Sequence, residues 1–545
     1  MAHSPFRPTA AHTPGHAWPL WDAATTRHIE AWALSQDHGP SLMERAGLAV
    51  ARLALAVSPA GSAVWVLTGS GNNGGDGWVA ARHLHLAGWP LRVWEVQAAQ
   101  TPAAQAARKA ALDAGVQLAQ GSEAPPEQQA WPPNGSHGLL IIDALLGLGA
   151  RAPLPSALVQ AVHWITRCTR ADGTAVVLSV DLPSGLQADT GCRLQDAHGQ
   201  SCAVQAHHTL SLLTLKPGLF THEGCESSGQ VWFDDLGLAA PLLDSPRARL
   251  IPVSLLSILR KARVQPDGQA RRGGHKGLYG DVWLVGGAPG MAGALRLAAR
   301  AAVAAGGGRV HRVDLGSQAG GLDEAAPEVM MKTEPELRAA CSSDAVVVAG
   351  CGGGSHITPV LTPLLARAHR LVLDADALNA VAADTSLWSR LVARAHRGQA
   401  TVLTPHPLEA ARLLACSTSQ VQSDRLAAAQ ALAHRSGATV VLKGAGSVVA
   451  SPGATPWVNT SGNARLASGG TGDVLAGWIG GVWASSVDDP SGLHDAVAAC
   501  VHLHGRAADR VDPSTGRCET AVLPASALIA HMSGELLRAH NGDQG

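Results

Sequence analysis

Short apolar runs ending in glycine or polar residues recur along both halves of the chain. In the first half, AVWVLTG ends at Gly69, LLIIDALLG carries Asp143, and AVVLSVDLPSG closes on Asp181 and Ser184. In the second half, DVWLVGGAPG, AVVVAGCGGG, RLVLDADALN, ATVLTPHPLE and TVVLKGAGSVVA repeat the pattern, with alanine-rich, helix-like segments between. Continuous apolar runs suit strands buried on both faces, and their alternation with helices is the βαβ signature of a parallel, doubly wound sheet. The expected class is α/β, two three-layer αβα domains. In such sheets ligands sit outside the carboxyl ends of the strands, so each half's polar endings share one rim. Upstream, Trp21–Val57 reads as helical, with Ser41 and Glu44 spaced as a capping box.

Four segments follow: a Pro- and His-rich N-terminal tail, 1–17, expected to be disordered; a first domain, 18–245; a linker and entry to the second domain, 246–274; and the second domain, 275–545. At 545 residues two domains are expected, and 46% hydrophobic residues suit folded ones. A net charge of −1 without a basic stripe speaks against nucleic acid. The most apolar run, Leu139–Ala150, carries Asp143 and is too short to span a membrane. The N-terminus lacks the apolar core of a signal peptide, and nine scattered cysteines without a CxxC pair suit a reducing compartment. The expected location is the cytoplasm.

Candidate chemistry gathers at the strand ends. Gly69, Gly71 and Gly74 fit G-x-G-x-x-G, with Glu95 at the distance of a ribose-binding acid, so a plain dinucleotide fold competes. Against it, Asn72 and Asn73 stand where small or apolar residues are usual, and Asp76 opens the helix where a pyrophosphate needs positive potential. Oxygen groups on Asn73, Asp143 and Ser184 suit a hard cation better. A tight turn of left-handed asparagines is the bland alternative. In the second half, ASGGTGDVLAG is a glycine turn entering a helix, where unpaired N–H groups favour an anion. Asp473 beside that anion hole is either a helix cap or a proton acceptor for phosphoryl transfer. Lys443–Ser447, KGAGS, adds an ammonium and backbone donors. His406 lies on the same rim in TPHP. Asp374 and Asp376 read as caps of the next helix, and His502 and His504 as structural.

The blocks GSGNNGGDGWVAARHL, IIDALLGLG, SVDLPSG and LKPGL, over roughly Trp18–Leu238, resemble the NAD(P)H-hydrate epimerase domain of the bifunctional NAD(P)H-hydrate repair enzymes. HKGLYG, GGAPGMAGA, PEVM, LDADALN, LTPHPLE, LKGAGS and GGTGDVLAG, over about Leu250–Leu537, resemble their ribokinase-like NAD(P)H-hydrate dehydratase domain. The resemblance implies a Rossmann-like first domain and a ribokinase-like second. It implies that Asn72, Asn73, Gly74, Gly75, Asp76, the loop Gly147, Leu148, Gly149, Ala150, Arg151, Ala152, Pro153, and Asp181 hold the hydrated dinucleotide. Asn73, Asp143 and Ser184 would bind K+, and Asp143 is the epimerase acid/base candidate by position. In the second domain it places the hydrate at Ala294, Gly354, His406 and Asp473. The adenine nucleotide falls on Lys443, Gly444, Ala445, Gly446, Ser447 and Gly472.

The implied work is repair of NADHX and NADPHX: epimerisation of the R and S forms, then dehydration of the S form with ADP (giving AMP and phosphate) or ATP, accompanied by Mg2+. Asp473 would take the hydrate's hydroxyl proton as that oxygen attacks the terminal phosphoryl group. A homo-oligomer is expected. Departures from the family pattern are Ser70, Leu148, Ala150, Cys351, Ala326 and Asn463-Ala464-Arg465, the last placed to lower activity. Two rivals remain open: a ribokinase-like small-molecule kinase fused to a Rossmann NAD-binding oxidoreductase, and a non-catalytic nucleotide-binding scaffold.

Overall fold

The computed structural model describes residues 9–10, 16–35, 40–119, 138–171, 175–238, 245–260, 273–316, 323–341, 343–486, 492–511 and 520–541. These fall into two compact units that change over at Arg247/Ala248. Of the tail 1–17, Thr9–Ala10 pairs antiparallel with Trp232 and Phe233, while residues 1–8 and 11–15 lie outside the described residues. Much of the linker, 261–272, does so too.

The first unit's sheet runs in the order Thr9–Ala10, Gln230–Asp234, His208–Leu212, Ala175–Val180, Leu139–Ala144, Ala63–Thr68, Leu91–Glu95. All pairs after the first are parallel. Alternation along one strand builds both faces. Val64 and Val66 join a core with Ala46–Ala54 and Trp78–Leu84, while Trp65 and Leu67 join another with Leu158–Ile165. Every residue of Ala63–Thr68 is therefore buried, which is why the run is apolar without a period of two. The helical stretch splits into Ala23–Leu34 and Leu42–Val57. The expected capping box is only half formed. Ser41 Oγ accepts the Glu44 N–H at 3.3 Å, but the Glu44 carboxylate turns to Arg82 and His83 on the facing helix. A guanidinium and an imidazole together hold that carboxylate in preference to a single backbone N–H.

The second unit's sheet runs Met330–Met331, Arg309–Asp314, Asp281–Gly286, Val346–Ala349, Arg370–Leu373, Ala400–Leu403, Thr439–Leu442, Val448–Ala450, Trp457–Val458, Ala248–Leu250. It is parallel except that Val448–Ala450 lies antiparallel to both neighbours. One face (Val282, Leu284, Val346, Val348, Val372, Val402) packs on helices Ala292–Ala304, Thr471–Ser486 and Leu493–Asp509. Leu371 and Leu373, alternating with Val372, face the opposite layer.

Helix Thr471–Ser486 lies close on Ala292–Ala304 because small residues meet. A Cβ on Gly477 would fall 2.0 Å from the Ala298 carbonyl oxygen, and one on Gly481 2.4 Å from that of Ala302. Gly477→Ala gains at most about 1 kcal/mol of helix propensity. It forces a backbone clash of about 1–3 kcal/mol or more. A net fall in the denaturant midpoint is expected; an unchanged midpoint would show that the two helices are not in register.

Candidate active sites at two sheet rims

In the first unit four adjacent strands end on one rim. Ala63–Thr68 leads into Gly69–Gly71 and then helix Asn72–Leu86, whose N-cap is Gly71 with no side-chain cap. The glycines make the turn close: a Cβ on Gly74 would lie 2.0 Å from Gly69 O, and one on Gly69 1.9 Å from Leu145 O. Gly74 and Gly75 are buried as packing surfaces, Gly75 against Met43 and Ala104.

Asp143, on the next strand, has no exposure. Its carboxylate accepts from Ser184 Oγ (2.6 Å), Ser179 Oγ (2.8 Å), Ser184 N (2.9 Å) and Leu145 N (3.3 Å). Burial pushes it above the usual carboxylate range, against the pull of those donors. Asn73 packs on Gly147, and Leu146 N donates to Ser184 Oγ at 2.9 Å, so Asn73, Asp143 and Ser184 share one corner. Asp143 does not line the adjoining cavity; its four donors fix its carboxylate in this corner beside Asn73 and Ser184.

That cavity measures about 930 Å3, and Asn72, Asn73, Asp76, Asp181 and Gly147–Ala150 line it. Arg151, Ala152 and Pro153 are exposed and stand outside its lining. Leu148 is held by Arg27, whose Nη2 donates to its carbonyl at 2.7 Å. Glu95 is spent elsewhere: Arg108 takes both its oxygens, at 2.7 and 3.0 Å, which removes the ribose-binding acid from the rival reading. Sequence reasoning assigned no role to Lys216, the lysine of LKPGL. It is wholly buried, ion-pairs with Asp181, and donates to Leu212 O at 2.8 Å.

In the second unit five adjacent strands end on the rim. They deliver Gly286–Gly287, the turn Gly350–Gly354, Asp374, Thr404–His406 and Lys443. Asp374 sits at the N-cap of Ala375–Ala383 but makes no cap bond with its side chain. Its carboxylate turns instead to Lys443 Nζ (2.7 Å) and Thr404 Oγ1 (2.7 Å), which corrects the capping expectation. Asp376 does not cap its own helix either; it accepts Gly354 N at 2.8 Å and so holds the glycine turn. Ala294 meets that turn, 3.0 Å from where a Cβ on Gly352 would lie.

Asp473 is the third residue of helix Thr471–Ser486. Its carboxylate, that of Asp374 and the Cys351 thiol lie within 4.8 Å of one another. Burial and then the Asp374 charge push Asp473 up to about 6, against Cys351 and Lys443, which lower it. Burial alone would lower the Lys443 ammonium, yet Asp374, Glu409 and Asp473 outweigh it and hold it above its ordinary value. Gly472 leaves room for it: a Cβ there would stand 3.3 Å from Lys443 Nζ. The start of this helix is pinned by His504, whose Nε2 meets Thr471 O at 3.0 Å.

Lys443–Ser447 is the turn between Thr439–Leu442 and Val448–Ala450. Gly444 (φ 131°) and Gly446 (φ 63°) take backbone conformations that L side chains rarely adopt. Ser447 closes the turn on Gly444, and buried Arg425 braces it from below through Leu442 O and Lys443 O, both at 3.1 Å. His406 caps Pro407–Leu414: its Nδ1 accepts from Leu408 N and Glu409 N, leaving the ring half exposed. In the departing stretch Asn463-Ala464-Arg465, Arg465 is buried and donates to Ala508 O (2.8 Å) and Arg510 O (3.1 Å), tying the loop to the end of helix Leu493–Asp509.

A carboxylate near neutrality, a lysine at a glycine-opened helix start and a second acid-lined cavity define a two-site α/β enzyme. A family model described as NAD(P)H-hydrate dehydratase matches residues 282–529, and one described as YjeF-related protein N-terminus matches 39–218. The bifunctional NAD(P)H-hydrate repair enzyme Nnr of Escherichia coli (strain K12) is 35% identical over 473 residues, covering 86% of this chain and 84% of that protein. The bifunctional NAD(P)H-hydrate repair enzyme of Leishmania braziliensis is 34% identical over 531 residues, covering 91% and 90%. Among solved structures, the ADP/ATP-dependent NAD(P)H-hydrate dehydratase from Bacillus subtilis co-crystallized with ATP/Mg2+ aligns at TM-score 0.41 and 26% identity, over 52% of this chain and 97% of that one. The chain belongs to the bifunctional NAD(P)H-hydrate repair enzymes. No described helix is long and apolar enough to cross a membrane.

Proposed function

We propose that the first unit interconverts the R and S forms of hydrated NAD(P)H and that the second dehydrates the S form at the expense of ADP or ATP. The observation that carries this is the Asp473 carboxylate, raised to about 6, beside Lys443 at a glycine-opened helix start. Hydroxide is a poor leaving group and phosphate a good one. Asp473 takes the hydroxyl proton while that oxygen attacks the terminal phosphoryl group and AMP (from ADP) or ADP (from ATP) departs; phosphate then leaves the ring carbon, the neighbouring ring carbon gives up a proton to solvent, and the dihydropyridine double bond returns. Lys443 and the helix N-terminus stabilise the charge that develops on the phosphoryl oxygens. Mg2+ bound with the nucleotide would supply further positive charge at the same phosphoryl oxygens. The test is incubation with mixed hydrate epimers and ADP or ATP, following dihydronicotinamide absorbance. Phosphorylated hydrate as the end product would favour the kinase reading; binding without turnover would favour the scaffold.

K+ suits the corner of Asn73, Asp143 and Ser184. Asp143 is a buried carboxylate with no cationic side chain against it among the described residues. The Asn73 Nδ2 is buried without a partner, and rotating the amide would present an oxygen there. Asn73, Asp143 and Ser184 would hold the ion, whose positive charge would offset that of the buried Asp143 carboxylate. Exchanging K+ for a bulky organic cation is expected to slow epimer exchange about 10- to 100-fold. In Asp143→Ala the rate should no longer respond to K+; a response that persists would place the ion elsewhere.

A further inference from the structure

Of the four carboxyl groups lining the 930 Å3 cavity (Glu30, Glu44, Asp76 and Asp181), the two at the strand-end rim, Asp76 and Asp181, have contrasting partners. Asp181, at a strand end with φ 65°, is ion-paired with buried Lys216 and accepts Leu212 N at 3.1 Å. Lys216 in turn is fixed by Ser211 Oγ (3.3 Å) and Leu212 O (2.8 Å). Asp76 lines the same cavity from the first turn of helix Asn72–Leu86, and among the described residues no cation or donor pairs with its side chain. Asp143 is sealed off from this space.

We propose that epimerisation is run by Asp76 as acid and Asp181 as base, with Lys216 as the positioning residue that holds Asp181 toward the cavity. This rests on the epimerase reading of the first unit and adds the residues that move protons in it. Burial, then the Asp181 and Glu30 charges, push the Asp76 carboxyl well above the usual range, the direction that favours an acid. Two carboxyl groups in one cavity, one held by an ammonium and the other without a cation against it among the described residues, can serve as base and acid.

The step balances without any oxidant or reductant. Water adds to a reduced pyridine at the carbon beside the ring nitrogen, so the hydroxyl to be inverted sits on a carbinolamine carbon. Asp76 gives its proton to that hydroxyl. The C–O bond breaks, the nitrogen lone pair forms the C=N+ bond, and one water departs. Water then adds to the opposite face, the new C–O bond forms, and Asp181 takes the released proton. One proton has passed from Asp76 to Asp181, and the reverse conversion returns it. Lys216 has a lower pKa than an ordinary lysine, burial outweighing Asp181, yet the pair keeps the carboxylate in one orientation.

The test uses the full chain, purified R hydrate and no nucleotide, with the epimers resolved by chromatography. Asp76→Asn is expected to slow exchange about a hundredfold or more. Lys216→Met should lower kcat about tenfold or more with KM within about twofold, because Lys216 has no exposed surface and its ammonium is committed to Asp181, Ser211 and Leu212. In H2-18O the wild-type S product should carry solvent oxygen, a readout that needs no variant. Exchange surviving in Asp76→Asn, or a product that keeps its original oxygen, overturns the assignment alone. Wild-type protein that fails to speed exchange at all overturns the epimerase reading and this assignment with it.

Discussion

Asp473→Asn should lower dehydration about a hundredfold or more while nucleotide affinity changes little. The amide keeps the shape and cannot accept the hydroxyl proton. The same substitution removes a charge that burial and Asp374 disfavour. Raising a carboxyl from its ordinary value to about 6 corresponds to a native-state cost on the order of 3 kcal/mol at neutral pH. The variant is therefore expected to be as stable as the parent or more so, a trade of stability for activity. The sign follows for pH as well. A base must be ionised, so the wild-type rate should climb as pH rises through about 6, and the residual rate of Asp473→Asn should lose that limb. Single-turnover rates with the S hydrate from about 2 units below to about 2 units above the Asp473 value of about 6 measure both. Full turnover in the variant would remove the aspartate from the chemistry.

Lys443→Met should be worse for the protein as a whole. It strips the phosphoryl site of its ammonium, a loss of about 10²- to 10³-fold when a preorganised partner of developing charge is removed. It also leaves Asp374 buried with Thr404 as its remaining side-chain partner. Breaking one half of a buried ion pair costs about 3–5 kcal/mol, since the orphaned charge stays desolvated. The double variant Lys443→Met/Asp374→Asn should recover much of the stability and none of the rate. Denaturant midpoints and turnover on the four proteins of that cycle separate the two effects. Equal stability for Lys443→Met and its parent would show that the pair is not the buried contact described.

The α/β class could be read from sequence because a strand buried on both faces has to be apolar throughout, as Ala63–Thr68 is. The family could be read because its glycines are backbone requirements: Gly74 against Gly69, Gly472 beneath Lys443. Side-chain direction was not written locally. Asp374 occupies a cap position, and only the neighbouring strands reveal that Lys443 and Thr404 claim its carboxylate. Glu44 likewise abandons its own helix for Arg82 and His83. Lys216 and Arg425 escaped notice because a buried cation is recognisable only once the carbonyls and carboxylates around it have been assembled from distant segments. Cys351 looked like a simple departure from a glycine turn. Its thiol lies among the acids of the site and is pushed well up by burial and by Asp473 and Asp374.

The contact of Gly477 and Gly481 with the Ala298 and Ala302 carbonyls reaches beyond the packing of two helices. With no side chain between them to act as a bearing, the two helices have little room to slide past one another, and Asp473, the third residue of the second, is carried at the end of that pair. Under the proposed reaction, room for nucleotides of different length is expected at the glycine turns across the rim, Gly350–Gly354 and Lys443–Ser447, and not at this tightly seated helix start.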